Sequence, residues 1–228
     1  MMKKLVSVIF MLFLLFAYPA CSMAQGDEEI KFRVNDLVLK HYMDGIPYAK
    51  ANALGKDALP YLFELLENPD EKLFWTNIIV TIGFIEDTSA VDALINFLEK
   101  AEGEVDGATF RALLSVPYAL GCIASGGHAK AIDYLGTRIT GQKNLRINWN
   151  YKNKPISDLI AEQSVMGLAV SGRPEARQKL QALKTEAEKK GVQETRRLHT
   201  DTLPQGLLLM DNIKTRGRAA VLNPRRDE

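Results

Sequence analysis

Residues 55–70 read Gly55-Lys56-Asp57-Ala58-Leu59-Pro60-Tyr61-Leu62-Phe63-Glu64-Leu65-Leu66-Glu67-Asn68-Pro69-Asp70, and the spacing within them decides the fold. Leu59, Leu62, Phe63 and Leu66 recur at i, i+3, i+4 and i+7, which is one face of an α-helix, and Asn68-Pro69-Asp70 supplies the turn that ends it. The same spacing returns at Val91, Leu94, Ile95 and Leu98, 32 residues on, and at Ile132, Leu135, Gly136 and Ile139, a further 41 on. A fourth copy 44 residues later keeps Ala176, Leu180 and Leu183 and puts Lys179 off the pattern. Repetition of one amphipathic helix at such periods is the mark of a repeat architecture.

Second helices lie between these copies, each carrying an apolar residue followed by glycine: Ile82-Gly83, Leu120-Gly121 and Met166-Gly167, with Ala53-Leu54-Gly55 before the first unit. Glycine there allows close helix approach or a left-handed cap. Asp87-Thr88-Ser89 and Gly172-Arg173-Pro174-Glu175 open later units. A hairpin of two such helices has an apolar face that it cannot bury alone. Stacking the hairpins buries it, so the expected fold is all-α, a short α-solenoid of about four hairpins with capping helices at both ends.

The quoted segment, followed by Thr81-Ile82-Gly83-Phe84-Ile85-Glu86-Asp87-Thr88-Ser89-Ala90-Val91-Asp92-Ala93-Leu94, resembles HEAT repeats of the short bacterial, phycobilisome-lyase-like type. The resemblance spans residues of about 50 to 185. It departs from the family where Phe74, Trp75, Ile78 and Ile79 stand in place of Ala and a basic residue, and where Pro117 falls inside a second helix and should kink it. The resemblance implies a superhelix with an extended binding surface, and some family members assist covalent attachment of a chromophore.

Working outward, residues 25–45 form an N-terminal segment in which 30–44 reads as a capping helix, through Ile30, Phe32, Val34, Leu37, Leu39 and Tyr42. The repeats occupy 46–200. Within 201–228, Leu203 to Ile213 reads as a closing helix, and Lys214 through Arg226 as a mobile basic tail. Residues 1–24 have the layout of a secretory signal peptide: Lys3 and Lys4, an apolar run from Leu5 to Ala17, then Ser22-Met23-Ala24 as the cleavage site. Lipid modification of Cys21 after Ala20 is the alternative, with Tyr18-Pro19 departing from the usual lipobox. Either processing leaves Cys122 without an intramolecular partner, and it reads as a small buried hydrophobe. The N-terminal run falls short of a permanent span, and no later segment reads as apolar enough to be one. The chain is therefore expected to be exported, periplasmic or secreted, or else membrane-anchored through Cys21.

Composition places the 228 residues among ordinary globular proteins, 46% apolar and 25% charged with a net charge of +1. Without residues 1–24 the balance is 27 basic to 28 acidic side chains, which disfavours a nucleic-acid binder. Charge is nonetheless split along the chain: residues 25–140 hold 10 basic and 18 acidic side chains, and 141–228 hold 17 and 10. Such a split bears on association and steering rather than on fold.

No catalytic, cofactor or metal constellation is readable. His41, His128 and His199 are far apart, Ser125-Gly126-Gly127 lacks the context of a nucleophile elbow, and Glu102, Glu104 and Asp106 lack the spacing of a calcium loop and read as a solvated connection. The stretch Gly141 to Pro155 is longer than the links usual between packed helices, and insertions on repeat proteins map to a binding face. Trp149 and Tyr151, two apart, point the same way if extended, with Arg146, Lys152 and Lys154 around them; Trp149 folding back onto the helices is the structural alternative. Together with Trp75, Phe110 and Arg111 on the expected concave face, these are the candidate partner-binding residues. The expected function is a non-enzymatic, exported scaffold for a protein partner. A polysaccharide-binding module working through the Trp149 loop, or a lyase-type chaperone or enzyme accessory subunit, are the alternatives.

Overall fold

A computed structural model describes residues 26–141, 145–151, 154–190 and 201–222; within these the side chains of Asn150, Tyr151, Ala187 and Lys190 are not described. The fold is all-α. Helix α1 spans 26–38, followed by α2 (Tyr48–Asn52), α3 (Leu59–Glu67), α4 (Trp75–Ile85), α5 (Val91–Lys100), α6 (Gly107–Ala124), α7 (Ala129–Ile139), α8 (Ile156–Ser171), α9 (Pro174–Lys190), α10 (Leu203–Arg216) and α11 (Arg218–Leu222).

The turns follow from local chemistry. The Asn68 side chain accepts a hydrogen bond from the Asp70 N–H at 3.0 Å, starting a 3-10 turn that leads into α4. Asp87 does the same for Ser89 at 2.9 Å ahead of α5, and Asp106 caps α6 by accepting from the Thr109 N–H at 2.9 Å. Gly172, with φ 65°, ends α8 in the left-handed conformation, and Pro174 opens α9.

Even-numbered helices lie side by side in chain order, α2 on α4, α4 on α6, α6 on α8 and α8 on α10, while α3, α5, α7 and α9 pack against them. Glycine sets the spacing within the even layer. A Cβ at Gly121 would lie 2.0 Å from the Gly167 carbonyl oxygen, one at Gly167 would lie 2.2 Å from that of Pro117, and one at Gly83 would lie 2.6 Å from Ala119 Cα. These backbones meet with no side chain between them. Ile78, Ile79, Ile82, Leu113, Leu120, Ile123, Ile160 and Leu168 fill the core around the seam.

Side-chain contacts between successive units recur about one unit apart in sequence. Tyr48 donates to Glu86 at 2.7 Å, Ser125 to Glu86 at 3.2 Å, and Tyr134 to Glu99 at 2.9 Å. Arg138, nearly fully buried, pairs with Glu99 at 2.5 Å; Lys130 pairs with Asp92, and Lys179 with Asp133 at 3.0 Å.

Four expectations are corrected. The N-terminal helix ends at residue 38 rather than 44, because the Asn77 side-chain amide takes the carbonyls of Val38 and Lys40 (3.0 and 2.8 Å) and draws the chain onto α4. Residues 102–104 are no plain loop: β1 (Glu102–Glu104) pairs in parallel with β2 (Arg146–Asn148), and β3 (Asn150–Tyr151) pairs antiparallel with β4 (Lys154–Pro155). The segment after Ile213 is no free tail as far as Leu222, since α10 continues to Arg216 and α11 packs back onto the helices. Finally, α6 is long and apolar enough by composition to cross a membrane, although 61% of that stretch is buried between α4, α5, α7 and α8 as the central core helix.

Candidate functional site

Helices α4, α6 and α8 each keep one stripe out of the core, again at the i, i+3, i+4 and i+7 spacing. On α6 it is Arg111, exposed, with Leu114, Ser115 and Tyr118 half-buried; on α8 it is Leu159, Glu162, Gln163 and Met166, all half-buried. On α4, Thr76 and Val80 keep the same phase, while Asn77 beside them is taken by the Val38 and Lys40 carbonyls. Because these helices are consecutive neighbours, the stripes adjoin and make one open face of mixed apolar and polar character.

At the N-terminal edge of this face stand the residues singled out by the sequence. Trp149 lies between β2 and β3 and stacks on Phe110 of α6, with ring centroids 4.9 Å apart and planes 28° apart. Phe110 is thereby covered, only 8% exposed, and is not a surface residue as expected. Trp149 thus folds back onto the helices. A groove of ≈ 660 Å³ opens beside it, lined by Glu104, Leu145, Ile147, Asn148 and Ile156 among others. Arg146 is exposed and pairs with Glu102 across β1–β2 at 3.5 Å, whereas Lys154 is paired with Glu162 of α8 at 2.6 Å. Arg111 lies on the open face next to Phe110. Trp75 is elsewhere: its indole N–H donates to the Asn68 carbonyl at 3.2 Å, and its ring meets Phe97 of α5 edge-on. The structure therefore brings Arg111, Trp149 and Arg146 to one edge and leaves Trp75 outside the group. Lys152, the Tyr151 side chain, Cys21 and the rest of residues 1–25 lie outside the described residues. Lys72 bonds Asp106 at 2.5 Å on the same edge, and together with the Thr109 N–H it holds that carboxyl well below the usual carboxylate range.

The opposite, C-terminal edge holds a cluster that the sequence did not reveal. Glu86 follows the last turn of α4 with φ 63°, the one non-glycine residue with positive φ among those described. Its carboxylate accepts from Tyr48, from Ser125, and from Arg218 of α11, 132 residues away in sequence. Arg218 also donates from Nε to the Val170 carbonyl at 3.1 Å and from Nη2 to the Cys122 carbonyl at 3.3 Å, and its guanidinium lies 5.9 Å from the centre of the Tyr48 ring. Those carbonyls belong to the last turns of α8 and α6, where the helix dipole is negative and cations are favoured. The Arg218 side chain is 15% exposed and that of Glu86 25%. Beneath them the Cys122 thiol is fully buried, and burial pushes its pKa up to about 12 against the opposing guanidinium. Burial likewise raises Tyr118, one turn earlier on α6, and raises Tyr48, whose phenol is further kept protonated by donating to the Glu86 carboxylate. A thiol so held is no nucleophile.

His128 is the half-buried N-cap residue of α7 and His41 packs against Phe74. Among the described residues no group of three or more His, Cys, Asp or Glu side chains converges as metal ligands. No one-dimensional pattern links Glu86 to Arg218, although Glu86 stands directly after a helix, where glycine would be the ordinary residue. No family model matches this chain, and no curated protein or solved structure is significantly similar to it.

Proposed function

We propose that the chain is an exported, non-enzymatic scaffold that binds a protein partner, built as a HEAT-like α-solenoid of about four hairpins with capping helices at both ends, α1 and α10 among them. The observation that carries this reading is the open face: adjoining stripes on α4, α6 and α8, each half-exposed, apolar enough to anchor a side chain and polar enough to stay in water. A continuous surface of this kind suits an extended polypeptide better than a small molecule, which needs an enclosed pocket. The recurrence of contacts one unit apart supports the solenoid, and the lysines and apolar run of residues 1–17 support export. The Trp149 ring, stacked on Phe110 and half-buried, serves as a plug at the end of this face.

The test is capture on the immobilised full chain from the host's envelope fraction, followed by titration of the purified partner. Saturable binding that Arg111→Glu weakens at least tenfold is expected. Absence of any partner that saturates on reconstitution, or full affinity in the Arg111→Glu variant, overturns the proposal.

A further inference from the structure

Arg218 reaches its place on a short lever. Helix α11 has five residues, none of them buried, and follows Gly217, whose φ of 80° and open surroundings make it a ready hinge. Its polar attachment is the Arg218 guanidinium, beside which Val221 and Leu222 rest half-buried against the core. The receiving groups, by contrast, are rigid: the Glu86 carboxylate, the Cys122 and Val170 carbonyls at the ends of two core helices, and the Tyr48 ring, which is itself braced edge-on by Phe84 at 5.1 Å. Carboxylate, two carbonyls and an aromatic ring form a receptor for a planar, five-donor cation. Glu86 is held in a backbone conformation that L residues rarely adopt, and strain of that kind is kept where a side chain must be aimed.

The position of this receptor gives it a meaning. Cys122 lies one turn beyond Tyr118 on α6, and Val170 one turn beyond Met166 on α8, so Arg218 covers the last turn of the same open face. We infer that this is a guanidinium receptor at the end of the partner-binding face, that α11 occupies it as an internal stand-in, and that an arginine-bearing segment of the partner protein displaces it. The inference rests on the scaffold reading and names the chemistry of the partner. Displacement needs only local opening of α11, the kind of short, thinly packed element that opens first. The tether keeps the site closed until a partner with further contacts along the face competes.

The probe is a fluorescent peptide with the sequence of residues 214–222, titrated by polarisation into the full-length chain, its Arg218→Ala variant and the Arg218→Ala/Glu86→Gln double variant. Arg218→Ala, with helix content unchanged by circular dichroism, is expected to bind the peptide saturably and at least tenfold more tightly than the unmodified chain. Glu86→Gln, or lysine at the arginine corresponding to 218 in the peptide, is expected to abolish the gain. A folded Arg218→Ala variant that ignores the peptide overturns the inference, as does equal binding when Glu86 is replaced. If Arg218→Ala does not fold, hydrogen exchange on the unmodified chain decides: faster exchange of amides 217–222 on adding peptide is expected, and unchanged exchange at millimolar peptide overturns it. A dimer of the unmodified chain formed by reciprocal exchange of α11 would assign the receptor to a second copy and overturn the partner assignment. A captured partner that binds the unmodified chain and Arg218→Ala equally would leave the scaffold reading standing and remove this one.

Discussion

Gly121 and Gly167 face each other across the contact of α6 with α8, and each has a backbone carbonyl where a Cβ would go. A backbone atom at about 2 Å cannot rotate aside, so the helices would have to separate and the core beside them would lose its packing. Gly167→Ala is expected to lower unfolding free energy by at least about 2 kcal/mol in urea titrations. Gly103→Ala, with open space at its Cβ and φ 70°, is expected to lose only about 1 kcal/mol. Cys122 makes a second prediction at this scale. With its pKa at about 12 in the folded chain against 9.0 ordinarily, the native thiol should resist a disulfide reagent at pH 8 and react only on unfolding. Above about pH 9 the unfolded chain releases this proton and the folded chain does not, so the stability that the thiol contributes is intact below pH 9 and is lost as pH climbs toward 12. Urea midpoints should therefore fall more steeply between about pH 9 and 11 for the unmodified chain than for Cys122→Ala. The sequence disclosed both residues in part: a glycine after an apolar residue in each second helix announced close approach, and Cys122 among Ala, Leu, Gly and Ile announced burial. Which backbone atom each glycine meets depends on the register between helices some 40 residues apart, and no local pattern carries that.

Among the elements, the helices were readable because their apolar spacing is set by burial on one face and their ends by Asn68, Asp87, Asp106 and Gly172, whose side chains or backbone act within a few residues. The strands were not. Glu102-Gly103-Glu104 has no strand propensity, and it is extended because Arg146-Ile147-Asn148 offers it hydrogen bonds from 44 residues away. Ile147, only 7% exposed, then buries its side chain and carries Trp149 onto Phe110. The described part of the insertion thus braces α6. Trp149→Ala is expected to lower unfolding free energy by about 1–3 kcal/mol while far-UV circular dichroism stays within a few per cent, since a half-buried aromatic pair is lost and no helix is. Retention of full stability by that variant would mean that the ring does not brace α6.

Across the whole molecule, successive even-numbered helices are joined by the glycine contacts, and the Arg218 side chain ties α11 back to the end of α4. That tie takes carbonyls from α6 and α8 as well as the Glu86 carboxylate, so one side chain links α11 to the ends of three core helices. The sequence could show neither partner of this tie: Arg218 sits in a basic stretch that resembles many solvated tails, and Glu86 is one of 28 acidic residues. Only the folded stack brings them together.

The most direct test of that account is a double-mutant cycle in urea with Glu86→Gln, Arg218→Ala and the pair. The account predicts unchanged m-values and a coupling free energy of about 1–3 kcal/mol, the range for a part-buried, charge-assisted pair inside a shared hydrogen-bond network. Additive effects within about 0.5 kcal/mol would contradict it, showing that α11 does not rest on Glu86 in solution.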